Sequence, residues 1–338
     1  MSSAVSASES KRLRGQFFTT TNPFNADPFH KWFKTIPAVK ELVLLEPFAG
    51  ANNIVGMLRD LGYGNAWACF DIEPVNTDDN GTGIVVQQRD TLQNYPEGYG
   101  VAITNPPYLA KNSATRRGLP FPASKHDDLY KVSLEVMLKA TPYVAAIIPE
   151  SFLTQGLFHN RLHAVISLTC KMFEDTEVPV CLALFVPEDS KAEKFDFQIY
   201  AENRLLGTYT SLKKHLTRFE GVGVGWRFND PTGCIGLYAI DGQKEASIRF
   251  LAGAEIPASE VKETSRSVTR IGGDIPDMAV SDLIKEANQL LKERRESTKD
   301  TFMTAFKGLR QDGRYRRRLD FAQAREILNL AAKKVGVL

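Results

Sequence analysis

The stretch that decides the fold is Val101-Ala102-Ile103-Thr104-Asn105-Pro106-Pro107-Tyr108. Its first four residues form a short apolar run with β-branched side chains, which predicts a buried strand, and the following prolines end that strand. Asn105 and Pro106 each precede a proline, which disfavours helical geometry at both positions. The stretch therefore predicts an amide, two rigid residues and an aromatic ring at the carboxyl end of a strand, where open α/β sheets bind their ligands.

The side chains of this turn fit the chemistry of an amino nitrogen conjugated to a ring or a carbonyl. Such a nitrogen is a poor nucleophile because its lone pair is delocalised. The Asn105 side-chain oxygen and the Pro106 carbonyl are neutral acceptors that can take both amino hydrogens, and Tyr108 can stack on a flat ring. An ordinary strand-ending turn is the alternative interpretation.

A second strand and turn precede this stretch. The residues 41–53 indicate a strand, an acidic residue, a tight turn and then a helix, which Ile54, Val55 and Leu58 continue at helical spacing. The glycine of Glu46-Pro47-Phe48-Ala49-Gly50 lets a ligand approach the backbone, and the helix N-terminus favours a carboxylate or phosphate. Glu46 is a candidate partner for a ligand ammonium, and a plain strand-to-helix turn is the alternative.

Acidic residues end the next two predicted strands as well. Residues 66–71 form a short apolar strand that ends in Asp71, about 20 residues after the glycine turn, where a carboxylate can bind both hydroxyls of a ribose. Residues 83–88 form the third predicted strand, and Asp90 behind it is a candidate acceptor for an adenine amino group. The strand before Asn105 is the fourth. The pattern favours a parallel α/β sheet with a binding site along one edge.

The rest of the first half continues this pattern. Residues 143–149, 164–170 and 179–186 read as further buried strands, and residues 109–128 as a polar, basic loop with Lys111, Arg116, Arg117 and Lys125. His159 and His163 lie four residues apart but lack the neighbouring Glu of a zinc hydrolase, so we expect no metal.

Composition and domain pattern add further expectations. A chain of 338 residues that is 43% hydrophobic suggests one large or two ordinary domains. Four cysteines without a CxxC pair, together with the lack of a long apolar run or a signal-peptide core, favour a cytoplasmic protein with reduced thiols. The predicted organisation is a flexible tail over residues 1–14, a catalytic domain over 15–190 and a target-recognition region over 191–338.

The second half has a different character, with short β-like runs and then helices. Gly221–Gly225 reads as a glycine-rich hairpin, residues 254–275 as a linker, and Phe321–Lys334 as a last amphipathic helix. The overall charge is +2, but Ser281–Leu338 holds 14 Lys/Arg and 8 Asp/Glu, a net of +6. Positive charge collected at one end, including the cluster Arg314–Arg318, fits contact with a polyanion.

Taken together, these residues resemble the S-adenosylmethionine-dependent DNA adenine-N6 methyltransferases over roughly residues 15–186. Asn105-Pro106-Pro107-Tyr108 is similar to the catalytic motif of that family, and Glu46–Gly50 to its glycine motif. Asn52 stands where the family usually has a second glycine, Asp71 where it more often has Glu, and Thr91 where it commonly has an apolar residue. The other positions that match the family are Gln16, Phe17, Phe18 and Thr19 for the upstream cofactor motif, Asp71 and Ile72 for the ribose, Asp90 and Thr91 for the adenine, and Phe173 for an aromatic that packs on an extruded base.

The resemblance implies a class I methyltransferase, with a Rossmann-like sheet that has helices on both faces and a smaller C-terminal α+β region. It implies S-adenosylmethionine as cofactor, held by the residues named above together with Asn105, and no metal. Adenine would be rotated out of a specific double-stranded DNA sequence and stacked between Tyr108 and Phe173. Lys111, Arg116, Arg117 and Lys125 would contact phosphates. A monomer or weak dimer without membrane contact is expected, acting with or without a cognate restriction endonuclease.

Two alternatives remain open at this point. The same four-residue motif occurs in enzymes that methylate a guanine amino group in RNA or a glutamine amide in a protein, by the same chemistry. A nucleic-acid-binding module that has kept the fold without catalysis is an interpretation from a different class.

Overall fold

The computed structural model describes residues 22–74, 81–168, 172, 178–188 and 196–338. Within these ranges, nine strands form the first sheet. The spatial order of the strands is β3-β2-β1-β4-β5-β7-β6-β8-β9. Neighbours among the first five strands are parallel, whereas β7 runs antiparallel to both β5 and β6. In chain order the strands are β1 (Leu44–Glu46), β2 (Trp67–Asp71), β3 (Val86–Gln88), β4 (Val101–Thr104), β5 (Tyr143–Pro149), β6 (Leu162–Leu168), β7 (Val180–Phe185), β8 (Gln198–Ala201) and β9 (Arg204–Thr208).

This strand order identifies the fold class. The segment β3-β2-β1-β4-β5 contains the two halves of a doubly wound α/β sheet, with the switch in winding between β1 and β4. An antiparallel β7 between β5 and β6 distinguishes the sheet from the dinucleotide-binding order and matches the class I methyltransferase arrangement. The predicted fold class is therefore confirmed.

Helices of the first unit follow the apolar spacing of the sequence. In α1 (Asp27–Thr35), Phe29, Trp32 and Phe33 are buried, and the Trp32 indole N–H donates to the Phe185 carbonyl at 3.2 Å. The predicted helix after the glycine turn is confirmed as α2 (Asn53–Asp60), which buries Ile54, Val55 and Leu58 as its spacing requires.

Residues 109–128 contain a helix rather than only the predicted loop. This helix, α3 (Lys111–Arg117), packs its buried Ala114 with Leu109 in a small apolar cluster, which explains why a polar stretch is ordered. The side chain of Asp128 accepts from the Leu109 N–H at 3.1 Å and also caps the next helix, α4 (Leu129–Ala140). Both ends of the segment are thereby joined.

The second unit contains an antiparallel four-stranded sheet of order β10-β13-β11-β12 and a two-stranded ribbon. Its long helices pack together on an apolar core that includes Leu237, Leu283, Leu291 and Leu328. The elements are α5 (Tyr209–Lys213), β10 (Arg227–Phe228), β11 (Ile235–Tyr238), β12 (Arg249–Ala252), β13 (Val268–Gly272), α6 (Val280–Thr298), β14 (Thr304–Leu309), β15 (Tyr315–Arg318) and α7 (Phe321–Lys334).

Two predictions for this unit are wrong. The expected linker 254–275 contains β13, whose buried Thr269 and Ile271 lie within the sheet between β10 and β11. The expected hairpin at Gly221–Gly225 is an irregular segment, because the side-chain oxygen of Asn329 accepts both the Val224 N–H and the Trp226 indole N–H and so replaces strand pairing.

Two arginines of the cluster near the C-terminus, Arg316 and Arg317, contact the interior of this unit. Arg317 is only 8% exposed, which does not fit the predicted phosphate contact. The Arg316 guanidinium donates to the Asp241 carbonyl at 2.7 Å and stacks over Phe306. The buried Asp241 carboxylate also accepts two hydrogen bonds from Arg295, at 2.8 and 2.9 Å. Asp241 thus connects Arg316 of the ribbon with Arg295 of α6 within the second unit.

The chain divides into compact units after Leu206, later than the predicted boundary at residue 190. The reason is that β8 pairs with β6 in parallel and so extends the first sheet past that boundary. The roles assigned to the two units stay predictions. Within the described ranges, the structure has no helix with the length and apolar character that a membrane crossing requires.

Candidate functional site

Polar residues collect at the carboxyl edge of the parallel strands. Glu46 and Asp71 are the last residues of β1 and β2, and Asn105 directly follows β4. Because these strands are parallel neighbours, their ends lie along one edge of the sheet. The edge includes the β1/β4 switch point, where doubly wound sheets bind their ligands.

The Asn105-Pro106-Pro107-Tyr108 turn is anchored to β5. The Tyr108 hydroxyl oxygen lies 2.5 Å from Asn105 Oδ1 and 2.6 Å from the carbonyl oxygen of Ile147. Its ring meets the ring of Tyr130 edge-on, with the centroids 6.3 Å apart. Pro106 is buried, whereas Asn105 and Tyr108 are partly exposed. The amide is therefore positioned from two sides, by the rigid backbone and by the phenol.

Glu46 is a buried carboxyl group, and only one of its two oxygens accepts hydrogen bonds from the described residues. It is 1% exposed, and its Oε1 accepts the Thr104 hydroxyl at 2.5 Å and the Phe48 N–H at 3.2 Å. Its Oε2 has no hydrogen-bond partner among the described residues. Burial raises the pKa of Glu46 to about 8, the nearby charge of Asp71 adds to this, and the two hydrogen bonds oppose it. A ligand that places a positive charge beside Oε2 would stabilise the ionised form of this carboxyl group.

The glycine turn needs two left-handed residues. Gly50 has φ +51° and Asn52 has φ +61°, a region in which asparagine is tolerated better than most residues with a side chain. Asn52 also donates from Nδ2 to the Ile84 carbonyl at 3.1 Å. The departure at Asn52 from the glycine usual in the family thus has a structural explanation.

Asp71 holds the same turn from β2. Its Oδ2 accepts the Gly50 N–H at 2.8 Å and its Oδ1 accepts the Glu73 N–H at 2.9 Å. Both carboxylate oxygens thus accept main-chain hydrogen bonds, which fixes the Asp71 side chain at the end of β2. The next residue, Ile72, is 50% exposed, which leaves an apolar surface beside the carboxylate.

Asp90 and Thr91 follow β3 at this edge. Asp90 accepts the Leu92 N–H at 3.1 Å and the side-chain amide of Gln93 at 2.8 Å. Thr91 is buried and donates its hydroxyl to the Pro47 carbonyl at 2.9 Å. The Thr91 hydroxyl therefore ties the loop after β3 to the turn after β1, which accounts for a polar residue at this place.

The predicted basic residues lie close behind Tyr108 in the chain. Lys111, Arg116 and Arg117 are exposed on α3. Lys125 forms an ion pair of 2.7 Å with Glu135, and both side chains are largely exposed. An exposed pair of this kind stabilises the fold little, so the two partners separate easily when another charge approaches.

Some predicted residues lie outside the described ranges. They are Gln16, Phe17, Phe18, Thr19 and Phe173, and their roles stay predictions. Within the described residues, no group of three His, Cys, Asp or Glu side chains could hold a metal ion.

Two residues at this edge were not expected from the sequence. Thr104 bonds to Glu46, and the Ile147 carbonyl receives the Tyr108 hydroxyl. The sequence does mark Thr104, since its hydroxyl interrupts an apolar run directly before Asn105. A main-chain carbonyl such as that of Ile147 leaves no signal in sequence.

Comparison with known proteins gives structural similarity only. No protein-family model and no curated protein matches this chain. A putative class I S-adenosylmethionine-dependent methyltransferase from Listeria monocytogenes is 15% identical, with a TM-score of 0.37, over 54% of this chain and 67% of that one. A type I restriction-modification methyltransferase subunit from Streptococcus thermophilus is 17% identical, with a TM-score of 0.38, over 60% of this chain and 52% of that one.

A third structure has the same character. A modification subunit of a putative type I restriction enzyme from Vibrio vulnificus is 15% identical, with a TM-score of 0.35, over 55% of this chain and 47% of that one. This chain thus spans about half the length of the two restriction-modification subunits.

Proposed function

We propose that this chain transfers a methyl group from S-adenosylmethionine to the N6 amino group of adenine in a specific double-stranded DNA sequence. One observation carries the proposal. The Asn105–Tyr108 turn and the buried, incompletely satisfied Glu46 lie at one edge of a class I methyltransferase sheet. The turn suits a conjugated amine, and Glu46 suits the ammonium of a cofactor with an amino-acid end.

The acidic residues of the edge fit the parts of this cofactor. Glu46 would accept the ammonium through Oε2, and the Asp71 carboxylate would accept the ribose hydroxyls. The exposed Ile72 offers a surface for the adenine ring, and Asp90 an acceptor for its amino group. The predicted motif Gln16–Thr19 would embrace the methionine part. Bound there, the sulfonium supplies an electrophilic methyl carbon.

Asn105 and Pro106 would prepare the nucleophile. Their carbonyl oxygens accept the two amino hydrogens of the target adenine, which favours a pyramidal nitrogen with its lone pair directed outward. That lone pair would form the new N–C bond, and the sulfur of the cofactor would leave with the electrons of the C–S bond. One amino hydrogen then leaves to water as a proton. The protein contributes alignment and polarisation, and no covalent intermediate is required.

We favour DNA over a protein amide as the substrate. An adenine within a duplex has to be rotated out of the stack, and stacking on Tyr108 and on Phe173 would offset part of a cost of a few kcal/mol. The exposed cations of α3 and Lys125 are candidates for phosphate contacts beside the turn. Target recognition by the second unit and association with a restriction endonuclease belong to the same proposal.

A labelled-methyl assay tests the proposal. The purified protein is incubated with tritium-methyl S-adenosylmethionine and, separately, with mixed-sequence duplex DNA, RNA or a glutamine-bearing protein substrate, with Asn105→Ala as control. We expect label in DNA alone, and N6-methyladenine after digestion to nucleosides. Label in RNA or protein instead of DNA would overturn the substrate, and cofactor binding without transfer to any of them would favour the non-catalytic module.

A further inference from the structure

Glu46, at the end of β1 beside Thr104 of β4, determines the charge of the site. Its carboxyl group is buried, Thr104 and Phe48 occupy Oε1, and no cation pairs with it among the described residues. An ionised carboxylate without a counter-charge is costly in such a place, so it retains its proton until a cation arrives. A permanent ion pair with Lys or Arg is the ordinary alternative for a buried carboxylate. The described residues do not form such a pair with Glu46.

We infer that Glu46 is a neutral acid in the ligand-free protein and that it loses its proton to solvent when the cofactor ammonium binds. This inference rests on the proposed function, because it takes S-adenosylmethionine as the ligand. The ion pair then forms inside the protein only when both partners are present. Binding is consequently selective for a ligand that carries the ammonium, and it depends on pH.

Among the ionisable groups around Glu46, we expect the Glu46 carboxyl to be the one that titrates near neutral pH. Asp71 on β2 raises the pKa of Glu46 through its negative charge. Burial raises the pKa of Cys69 on β2 to about 12, with contributions from Glu46 and, in the opposite sense, Arg59. Burial likewise raises the pKa of Tyr95 well above its usual value. Both the thiol and the phenol therefore stay neutral while the Glu46 carboxyl titrates.

The direction in which cofactor affinity changes with pH follows from the burial of Glu46. Burial raises the pKa of Glu46 to about 8 in the free protein, and a bound ammonium lowers it. Between pH 6 and 7 the free protein must therefore give up close to one proton per site on binding, and the dissociation constant falls about tenfold per pH unit. Above about pH 8 the α-amino group of the ligand loses its own proton, so affinity declines again.

Isothermal titration calorimetry of S-adenosylmethionine binding, at pH 6.5 in buffers of different ionisation enthalpy, tests the inference. Wild type should release close to one proton, and Glu46→Gln none, with weaker affinity that varies little from pH 6 to 7. Glu41→Gln makes the same chemical change at an exposed position before β1 and should behave as wild type. A deaminated cofactor analogue should bind without releasing a proton.

The outcomes separate this inference from the proposed function. Tight binding of S-adenosylmethionine without proton release, or equal release by wild type and Glu46→Gln, would overturn the inference and leave the methyltransferase proposal standing. No binding of S-adenosylmethionine at any pH would overturn the proposed function itself. Proton release without methyl transfer to DNA would support the inference and contradict the substrate.

Discussion

The Tyr108 hydroxyl oxygen lies 2.5 Å from Oδ1 of Asn105, and the same hydroxyl lies 2.6 Å from the Ile147 carbonyl of β5. The phenol thus connects the proposed catalytic amide to the neighbouring strand. From the sequence, Tyr108 is expected to act through its ring alone. The geometry gives its hydroxyl a second role, in holding the amide.

Tyr108→Phe should separate the two roles, because it keeps the ring and removes the hydroxyl. We expect kcat to fall by up to about tenfold, the equivalent of one hydrogen bond that orients a catalytic group, with little change in KM for DNA. Tyr108→Ala should also raise KM, and less so for a mismatched target base, which is already unpaired. Single-turnover kinetics on paired and mismatched duplexes measure both effects. Equal losses for the two variants would argue against a role for the ring.

Asn105→Ala should lose methyl transfer and retain most of the cofactor affinity, because Glu46 and Asp71 would supply the other polar contacts to the cofactor. The side chain acts on the target amine, so its removal is expected to lower kcat at least about a hundredfold, as when one polar group that stabilises the transition state is removed. Calorimetry with S-adenosylmethionine and the tritium-methyl assay give the two readouts. Asn112→Ala, on the exposed surface of α3, is the matched control. Undiminished turnover by Asn105→Ala would reject the assigned role.

The central strands of the first sheet, β1 to β7, could be predicted from sequence because each is marked by a local pattern, whereas β9 was not predicted. Strands buried on both faces are short apolar runs, and this holds for the parallel β4 and the antiparallel β7, which are buried along their whole length. The last helix was predicted from its amphipathic pattern with both its boundaries, Phe321–Lys334, and the Asp320 side chain caps its start. Local signals of this kind need no knowledge of the rest of the fold.

Contacts between distant residues account for what could not be predicted. The strand β13 contains Thr269 and Arg270, and its pairing with two other strands, rather than its own pattern, makes it a strand. Arg317 belongs to a basic run that is typical of a surface. Its main-chain N–H donates to Asp241, which is far away in sequence, so the ribbon packs against its own unit. In the candidate site, the acidic side chains were predicted, whereas the bond from Thr104 to Glu46 depends on the β1/β4 register.

Asn52 should be replaceable by glycine at lower cost than by alanine. Its φ of +61° strains any residue with a Cβ, so Asn52→Ala should be less stable than Asn52→Gly by about 1–2 kcal/mol. Both variants lose the hydrogen bond from Nδ2 to the Ile84 carbonyl, so that loss cancels in the comparison. Chemical denaturation of the two proteins measures the difference. Equal stability would mean that the turn relaxes out of the left-handed region.

Glu46→Gln should stabilise the ligand-free protein at alkaline pH. Burial raises the folded-state pKa of Glu46 to about 8, above its value in the unfolded chain, so the folded protein binds this proton more tightly. Wild-type stability is therefore highest with the acid protonated, falls as pH rises from about 4.5 to about 8, and levels off above that. Glutamine lacks this titration. Thermal denaturation across pH should show the variant gaining on wild type until about pH 8, and parallel curves would contradict the buried neutral acid.

The exposed cations of α3 should determine part of the salt dependence of DNA binding. If Lys111, Arg116 and Arg117 contact phosphates, their joint replacement by glutamine removes up to three released counterions. The slope of log K against log salt should then become less steep by about one per lost contact. Replacing the exposed Lys31, Lys34 and Lys40 by glutamine removes the same charge from another part of the first unit and should leave the slope nearly unchanged. Fluorescence anisotropy of labelled duplex DNA across a salt series measures these slopes. Equal changes in the two triple variants would attribute the effect to net charge instead of contacts beside the Asn105–Tyr108 turn.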